Sequence, residues 1–337
     1  MTAPLLEVRD LTKAFVVERS LLGAQRATLR AVHNVSFAMA PGETLGIVGE
    51  SGCGKTTLGR LILRLLEPTE GHIRFDGQDI THFSHRQMRG LRQDIQVVFQ
   101  DPFSSLNPRL TVRAIIGEPL SNFGFSAAEI TRRVGEVMEV VGLQPDTMDR
   151  NPHAFSGGQR QRIGIARALA LRPKLIVCDE AVSALDVSIQ AQILNLLADI
   201  QQEFGLTLLF ISHNLGVIRH VSHRIAVMYL GEIVELATER DLFENPLHPY
   251  TRALISAVPE ADIHERTERV PLDGEIPSPV NPPPGCPFHT RCPIARPRCG
   301  TELPDYREWS PGRMVRCHFP GEALPTFAET ATERALP

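Results

Sequence analysis

The sequence lacks a long apolar segment and has no strong excess of charge of either sign. No stretch approaches the roughly 18 apolar residues that a membrane-spanning helix needs, and its start, MTAPLLEVRD, lacks the features of a secretory signal. Lys plus Arg number 35 against 39 Asp plus Glu, which argues against a nucleic-acid or membrane-surface binder. We therefore expect a cytoplasmic protein that binds no nucleic acid and serves a membrane process only by docking onto another subunit.

Cysteine and proline are both scarce before Asn245 and frequent after it. Of the 26 prolines, 17 fall in residues 246–337, as do four of the 6 cysteines. The chain has 337 residues, more than one hydrophobic core usually organises. We predict two domains, residues 1–245 and 246–337. A disulfide scaffold is not expected in a reducing cytoplasm.

The first 245 residues alternate between strand-like and helix-like patterns. Short apolar runs predict strands at LLEVRDL, FVV, VSFAM, TLGIV, IQVVF, LIVCD and LTLLFIS. Residues 187–204 have apolar positions at helical spacing between two of these strands, which is typical of a parallel βαβ unit. Residues 111–172 contain helical patterns at 130–141 and 159–171. These patterns predict an α/β fold with an inserted helical subdomain, which we place at about residues 101–172.

A glycine-rich segment with a phosphate-loop pattern follows the strand TLGIV and precedes a helical pattern. Backbone amides of such a loop bind phosphate, a lysine supplies charge to the β and γ phosphates, and a hydroxyl can ligate magnesium. A chance glycine turn is the alternative, and the loop alone does not distinguish a transporter from a GTPase or a nucleotide kinase. The residues of the pattern are Gly49, Glu50, Ser51, Gly52, Cys53, Gly54, Lys55, Thr56 and Thr57.

Two adjacent acids end the apolar strand LIVCD. Asp179 would hold magnesium, and Glu180 could polarise an attacking water as a general base. A solvated strand edge is the alternative interpretation of this pair. The solvated-edge interpretation is less favoured when the same chain also contains a phosphate loop.

A third segment begins a helix with a serine, two glycines and a glutamine. A plain helix cap would explain it alone, but Ser156, Gly157, Gly158 and Gln159 closely resemble the signature of ABC ATPases. Phe155 replaces the usual leucine before it, and Ala181 replaces the usual proline after the acidic pair. The resemblance covers residues 5–245. It implies the fold of a P-loop NTPase ABC cassette with a helical subdomain and a small Cys-rich C-terminal region.

The resemblance also implies roles for single residues. Phe15 is similar to the aromatic residue that stacks on adenine, and Gln100 to the glutamine that senses the γ-phosphate and metal. Asp186 lies in a segment similar to the dimer-crossing D-loop. His213 resembles the switch histidine, although a lone histidine is more often structural. In this family the signature of one subunit completes the ATP site of another, which implies a second cassette.

Three further segments look like the peptide-importer subgroup: QDPFSSLNPR at 100–109, LDVSIQAQ at 185–192 and NPLHPYTRAL at 245–254. The resemblance implies an ATPase that drives uptake of dipeptides or oligopeptides. Its implied partners are a related second ATPase subunit, two transmembrane permease subunits and an extracytoplasmic solute-binding protein, with this chain peripheral at the cytoplasmic face of the inner membrane. Nickel or another small solute is the alternative cargo. A soluble ABC ATPase of DNA repair or translation is a weaker alternative.

Four cysteines cluster near the end of the chain, namely Cys286, Cys292, Cys299 and Cys317. Four thiolates in a reducing compartment suit zinc or an iron–sulfur cluster. Successive cysteines have 5, 6 and 17 residues between them, which is wider than the spacing within the cysteine pairs of usual zinc sites. The resemblance to peptide-importer tails, where such cysteines can hold a four-iron cluster, favours iron–sulfur. Free or disulfide-linked cysteines are the remaining alternative.

Overall fold

The computed structural model describes residues 3–19, 25–100, 105–257 and 274–324. Within these ranges the chain forms two β-sheets and a set of helices. The strands are β1 (Leu6–Arg19), β2 (Gln25–Met39), β3 (Thr44–Val48), β4 (Glu70–Phe75), β5 (Gln78–Asp79), β6 (Ile95–Val98), β7 (Leu175–Asp179), β8 (Thr207–Ile211), β9 (Arg224–Tyr229), β10 (Glu232–Thr238), β11 (Arg307–Ser310) and β12 (Arg313–Val315).

The α-helices of the described residues connect these strands and bury one face each. They are α1 (Lys55–Ile62), α2 (His85–Leu91), α3 (Val112–Asn122), α4 (Ala127–Val140), α5 (Gly157–Leu169), α6 (Val187–Phe204), α7 (Leu215–Val221), α8 (Glu239–Glu244) and α9 (Pro249–Ser256). None of them combines the length and apolar composition needed to cross a bilayer, a finding that covers the described residues only.

The smaller sheet is antiparallel, with strand order β2-β1-β4-β5. β1 and β2 pair along most of their length, with Leu6 opposite Met39 and Phe15 opposite Leu29. Leu6 and Met39 are fully buried, whereas Phe15 is only half-buried. One end of this sheet is therefore anchored in a core while the other carries a partly exposed aromatic ring.

The larger sheet has the strand order β11-β12-β10-β9-β3-β8-β7-β6. Its strands β9, β3, β8, β7 and β6 are parallel neighbours, and β10, β12 and β11 continue the sheet in antiparallel pairs. Leu175 and Val177 of β7 enter one core, and Ile176 and Cys178 enter the other. Burial on both faces explains why this strand is a continuous apolar run.

Parallel pairing brings several loops to one edge of this sheet. β3 ends at Val48 before the glycine-rich loop, β7 ends at the acid Asp179, and His213 follows β8. Gln100 follows the end of β6. Because parallel strands present their carboxyl ends at the same edge, polar residues far apart in sequence lie at one place in the fold.

Helices α3, α4 and α5 occupy the chain between β6 and β7 and pack on one another. The helices predicted at 130–141 and 159–171 each begin at least two residues earlier, because Ser126 and Ser156 act as N-caps. Each serine forms a reciprocal capping box with the residue three positions later. Residues 101–104, where we placed the start of the helical region, lie outside the described residues.

The C-terminal residues do not stand apart from the larger sheet, since β12 pairs with β10. Beneath this contact the fully buried carboxylate of Glu235 accepts hydrogen bonds from the backbone amides of Leu247 at 2.9 Å and His248 at 2.8 Å. Arg313 of β12 donates to the same carboxylate at 3.2 Å. A buried, charge-assisted network thus joins the end of the chain to the sheet.

Candidate nucleotide-binding site

The glycine-rich segment joins β3 to α1 and approaches neighbouring backbone closely. A Cβ atom on Gly49 would come within 2.2 Å of the Met228 carbonyl oxygen, and one on Gly54 within 2.0 Å of the Ala31 carbonyl oxygen. Gly54 also has a φ of 106°, a conformation that side chains disfavour. Both positions require glycine for the loop to take this shape.

Lys55 is the first residue of α1, and only 5% of its surface is exposed. Its ammonium group donates to the carbonyl oxygens of Gly49 at 2.7 Å and Glu50 at 3.0 Å, and it lies 3.7 Å from Cys53 Sγ. These are contacts within the loop itself. The lysine cation is therefore held at the centre of a loop that can close around a phosphate group.

Thr56 and Asp179 lie side by side although 123 positions separate them. The Thr56 hydroxyl donates to a carboxylate oxygen of Asp179 at 3.1 Å. Burial is the main cause that raises the pKa of Asp179, and the neighbouring Glu180 adds to it. A hydroxyl and a carboxylate beside a phosphate loop fit magnesium, which takes few protein ligands and completes its shell with phosphate and water oxygens.

Glu180 and His213 meet at the same edge of the sheet. The two side chains are 3.1 Å apart, measured from Glu180 Oε1 to His213 Nδ1. Glu180 has a positive φ of 51°, which is uncommon for a residue with a side chain, and its amide donates to the Ile211 carbonyl at 2.9 Å. The backbone therefore holds this carboxylate in a defined place beside a half-exposed imidazole.

A cleft of about 350 Å³ lies over the loop. Phe15 lines one part of it, and Lys55, Thr56 and Glu180 line another. The aromatic ring that we predicted for adenine and the groups that we predicted for phosphate thus border one cavity. Gln100 is exposed at the end of β6 and is not among the described residues that line this cleft.

The predicted signature residues start α5 and pack against α6. The Ser156 hydroxyl accepts from the Gln159 amide at 3.3 Å, and the Gln159 side chain accepts from the Ser156 amide at 3.0 Å. A Cβ atom on Gly158 would meet Ile189 of α6 at 2.6 Å. Within the described chain, residues 156–159 do not line the cleft at the phosphate loop.

Asp186 is the N-cap of α6, because its carboxylate accepts from the Ile189 amide at 3.0 Å. This hydrogen bond is the main cause that lowers the pKa of the carboxyl group. Val187, the next residue, leaves 82% of its surface exposed. The predicted D-loop thus presents both a fixed carboxylate and an apolar side chain to solvent.

The four C-terminal cysteines are free thiols in one small region. Burial raises the pKa of Cys286 and Cys292 to about 12 and that of Cys317 to about 11, and the neighbouring thiols act in the same direction. Yet no three Cys, His, Asp or Glu side chains of residues 3–19, 25–100, 105–257 and 274–324 are arranged to hold a metal ion. The described residues therefore do not support the predicted four-iron cluster or its zinc alternative.

One contact of the phosphate loop was not anticipated from the sequence. Arg291, between two of these cysteines, forms a bidentate ion pair with Glu50, with N–O distances of 2.8 and 3.0 Å. Pro279 of the same C-terminal part borders the nucleotide cleft. Arg291 and Glu50 are 241 positions apart, so no local pattern relates them.

Comparisons with known proteins identify the family of the chain. Residues 32–183 match the ABC transporter family, and residues 234–299 match the C-terminal region of oligopeptide/dipeptide transporters. The chain is 54% identical over 319 residues to the oligopeptide transport ATP-binding protein AppF of Bacillus subtilis (strain 168), covering 94% of this chain and 97% of that protein. It is 51% identical over 340 residues to the probable peptide ABC transporter ATP-binding protein y4tS of Sinorhizobium fredii, covering 100% and 96%.

The fold is also similar to solved structures. The dimeric post-hydrolysis structure of the ATP-binding cassette MJ0796, bound to ADP and Pi, superposes with a TM-score of 0.61 at 30% identity. The superposition covers 70% of this chain and 99% of the MJ0796 chain. The resemblance to ABC ATPases and the α/β cassette fold are thus confirmed. This chain belongs to the ABC transporter family, as an ATP-binding and ATP-hydrolysing subunit of its oligopeptide and dipeptide transport group.

Proposed function

We propose that this chain hydrolyses ATP to drive uptake of dipeptides or oligopeptides through partner membrane subunits. The observation that carries the proposal is the meeting of Lys55, Thr56, Asp179, Glu180 and His213 at one edge of the parallel sheet. The C-terminal match and the names of the relatives support a peptide cargo over nickel or a soluble DNA-repair ATPase.

The binding roles follow from the positions of the side chains around the cleft. Phe15 would stack on adenine. The Lys55 ammonium group would give up its hydrogen bonds to the carbonyl oxygens of the loop and donate to β and γ phosphate oxygens instead. Thr56 and Asp179 would hold magnesium, with Gln100 reaching it from β6. When bound, the metal supplies positive charge to the phosphates.

Hydrolysis requires a base for the attacking water. Glu180 has the defined placement that this role needs, and His213 lies within hydrogen-bond distance of its carboxylate. Glu180 would accept a proton from water, while His213 would orient the carboxylate and contact the γ-phosphate. The reaction converts ATP and water into ADP and phosphate.

A second cassette would complete each ATP site. Ser156–Gln159 begin a helix whose N-terminal amides can bind an anion, yet they do not line this chain's own cleft within the described residues. The exposed Asp186 and Val187 offer a surface for crossing to a partner. We infer a pair of cassettes facing head to tail, the second a related but different subunit.

This arrangement would work at the cytoplasmic face of the inner membrane. Two permease subunits would carry the spans, and an extracytoplasmic solute-binding protein would deliver cargo. Closure of the cassettes on ATP, followed by hydrolysis, would switch the permeases between outward and inward states.

Reconstitution tests the proposal directly. The chain is purified with the products of neighbouring genes, placed in liposomes, and assayed for ATP-dependent uptake of labelled dipeptides, longer peptides and nickel. We expect peptide uptake that requires the solute-binding protein. Uptake of nickel without peptide would select the alternative cargo, and full, concentration-independent ATPase activity of the monomer would contradict the two-cassette arrangement.

Glu180→Gln tests the assignment of the base within the same assembly. The amide keeps the shape and a hydrogen bond to His213 but cannot accept a proton, so hydrolysis should fall about a hundredfold or more. ATP affinity, measured by titration calorimetry, should be retained. Near-normal turnover would remove Glu180 from the base role.

We further propose that the four cysteines hold one four-iron cluster in the assembled protein. The grouping of the four cysteines near the end of the chain, in the part that matches the C-terminal region of oligopeptide/dipeptide transporters or follows it directly, supports it. Anaerobically purified protein should then absorb near about 400 nm and carry about four irons per chain. Stoichiometric zinc without iron would select a zinc site, and absence of both metals would leave free thiols.

A further inference from the structure

The strongest unexplained feature is the contact between the C-terminal region and the phosphate loop. The Arg291 guanidinium donates two parallel hydrogen bonds to the Glu50 carboxylate, from Nη1 to Oε2 at 2.8 Å and from Nη2 to Oε1 at 3.0 Å. Bidentate pairs of this kind are strong and fix the orientation of both groups. The second residue of the phosphate loop is thus held by a residue from the far end of the chain.

Glu50 is also held at its backbone. Its amide donates to the Tyr250 hydroxyl at 2.9 Å, and its carbonyl accepts from Lys55 at 3.0 Å. Side chain, amide and carbonyl therefore each have a different partner. Of these partners, Lys55 belongs to the loop itself, whereas Tyr250 and Arg291 lie beyond residue 245.

Arg291 is well fixed for this contact. Its side chain is only 5% exposed, against 24% for Glu50, and it lies 5.9 Å from the centre of the Tyr229 ring. Phe288, three residues earlier, packs edge-on against Tyr229 with ring centres 5.3 Å apart and against Tyr250 at 5.4 Å. A buried aromatic cluster thus positions the arginine under the loop.

The charges give this contact a consequence for nucleotide binding. Glu50 places a carboxylate in a loop built to bind phosphate, and an unpaired carboxylate there would repel the phosphates of ATP. Arg291 cancels that charge and keeps the side chain turned toward the C-terminal region. Pro279 also borders the nucleotide cleft. The C-terminal region therefore approaches the nucleotide site through Pro279 as well as through Arg291.

We propose that Arg291 is a positioning residue for ATP binding, which neutralises Glu50 and sets the phosphate loop. The C-terminal region is then part of the nucleotide site rather than only an attachment to it. The proposal rests on ATP binding at this loop. The competing explanation is that the ion pair only fastens the C-terminal region to the cassette.

The two explanations differ in how the single and double variants of the pair behave. Arg291→Gln leaves an uncompensated carboxylate in the phosphate loop and should weaken Mg-ATP binding about tenfold or more. Glu50→Gln removes that carboxylate and should weaken binding much less. The double variant Glu50→Gln/Arg291→Gln should therefore bind Mg-ATP more tightly than Arg291→Gln alone. Simple loss of a fastening would make the double variant no better than the worse single variant.

The measurement is titration calorimetry of the full chain with Mg-ATP and with Mg-ADP. Repulsion grows with the charge of the ligand, so Arg291→Gln should lose more affinity for Mg-ATP than for Mg-ADP. Arg291→Lys keeps the charge but not the two-point geometry and should fall between the wild type and Arg291→Gln. In steady-state assays, the KM for ATP should change more than kcat.

Two control variants distinguish a wrong role for Arg291 from a wrong assignment of the ATP-binding loop. Arg298→Gln removes an exposed arginine of the same region, paired with Glu302 at 2.7 Å, and should leave ATP binding unchanged. Lys55→Ala should abolish most binding, and failure of that control would overturn the loop assignment itself. Unchanged Mg-ATP affinity in Arg291→Gln, or no recovery in the double variant, would overturn the role of Arg291. Should Arg291→Gln unfold, the other two variants still distinguish the explanations. Mg-ATP affinity that is lower in Arg291→Lys than in Glu50→Gln supports neutralisation of Glu50, and the reverse supports a simple fastening.

Discussion

The attachment of the C-terminal region to the larger sheet gives a prediction whose size follows from burial. Arg313 and Glu235 form an ion pair at 3.2 Å with side-chain exposures of 8% and 0%. Arg313 also donates to the Asn245 carbonyl. Arg313→Met keeps most of the side-chain volume but leaves a fully buried carboxylate without its cation.

Removal of one partner from a buried pair costs about 3–5 kcal/mol. Glu235 keeps the two amide donors of Leu247 and His248, so the lower end of that range is expected, about 3 kcal/mol of unfolding free energy. For a chain of this size, the loss corresponds to a fall of about 5 °C in the midpoint of thermal unfolding.

The assay is thermal unfolding of the full chain, followed by circular dichroism and by calorimetry. Arg240→Met is the matched control, because Arg240 pairs with Glu244 at 3.0 Å while their side chains are 79% and 62% exposed. It should change the unfolding free energy by less than about 0.5 kcal/mol. Arg313→Lys, which keeps the charge, should lose less stability than Arg313→Met. Equal midpoints for the Arg313→Met and Arg240→Met variants would refute the buried-charge argument.

Two further predictions concern the nucleotide site. Gly54→Ala places a methyl 2.0 Å from the Ala31 carbonyl and should lower ATP affinity in calorimetric titration, whereas Gly52→Ala, also at positive φ but with nothing within 4 Å, should cost only about 1–2 kcal/mol of stability. Asp179→Asn should raise the unfolding midpoint without nucleotide at pH 7. The folded-state pKa of this carboxyl lies above its unfolded value, so its ionised form costs stability above that pKa. The same variant should lose the stabilisation that Mg-ATP gives, and a lower nucleotide-free midpoint would contradict the assigned cost.

Much of the cassette fold could be predicted from the sequence, because periodicity and caps are local signals. The helix predicted over 187–204 has those bounds in the structure, since its apolar positions recur at helical spacing and Asp186 caps it. The buried strand LIVCD forms with both faces covered, as its unbroken apolar run indicated. The helices capped by Ser126 and Ser156 begin earlier than their apolar patterns predict, because their first residues are not part of the apolar pattern.

The sequence also allows the residues of the candidate site to be grouped. Residues 49–57 and the acids 179–180 each follow an apolar strand, and parallel strands bring their ends to one edge. In the structure Thr56 contacts Asp179 and Glu180 contacts His213, whereas the roles of these residues stay predictions. The metal prediction for the cysteines had a weaker basis, because spacing along the chain does not fix the distances between four thiols.

Local order in the sequence determined the phosphate loop, the strands around it and the helix caps, since each depends on residues within a few positions. Only the tertiary structure decided that β12 extends the larger sheet and that Arg291 pairs with Glu50 across 241 positions. Such contacts depend on the path of the whole chain and on which charges become buried together. Neither periodicity nor composition carries that information, and here it places the C-terminal region against the nucleotide loop.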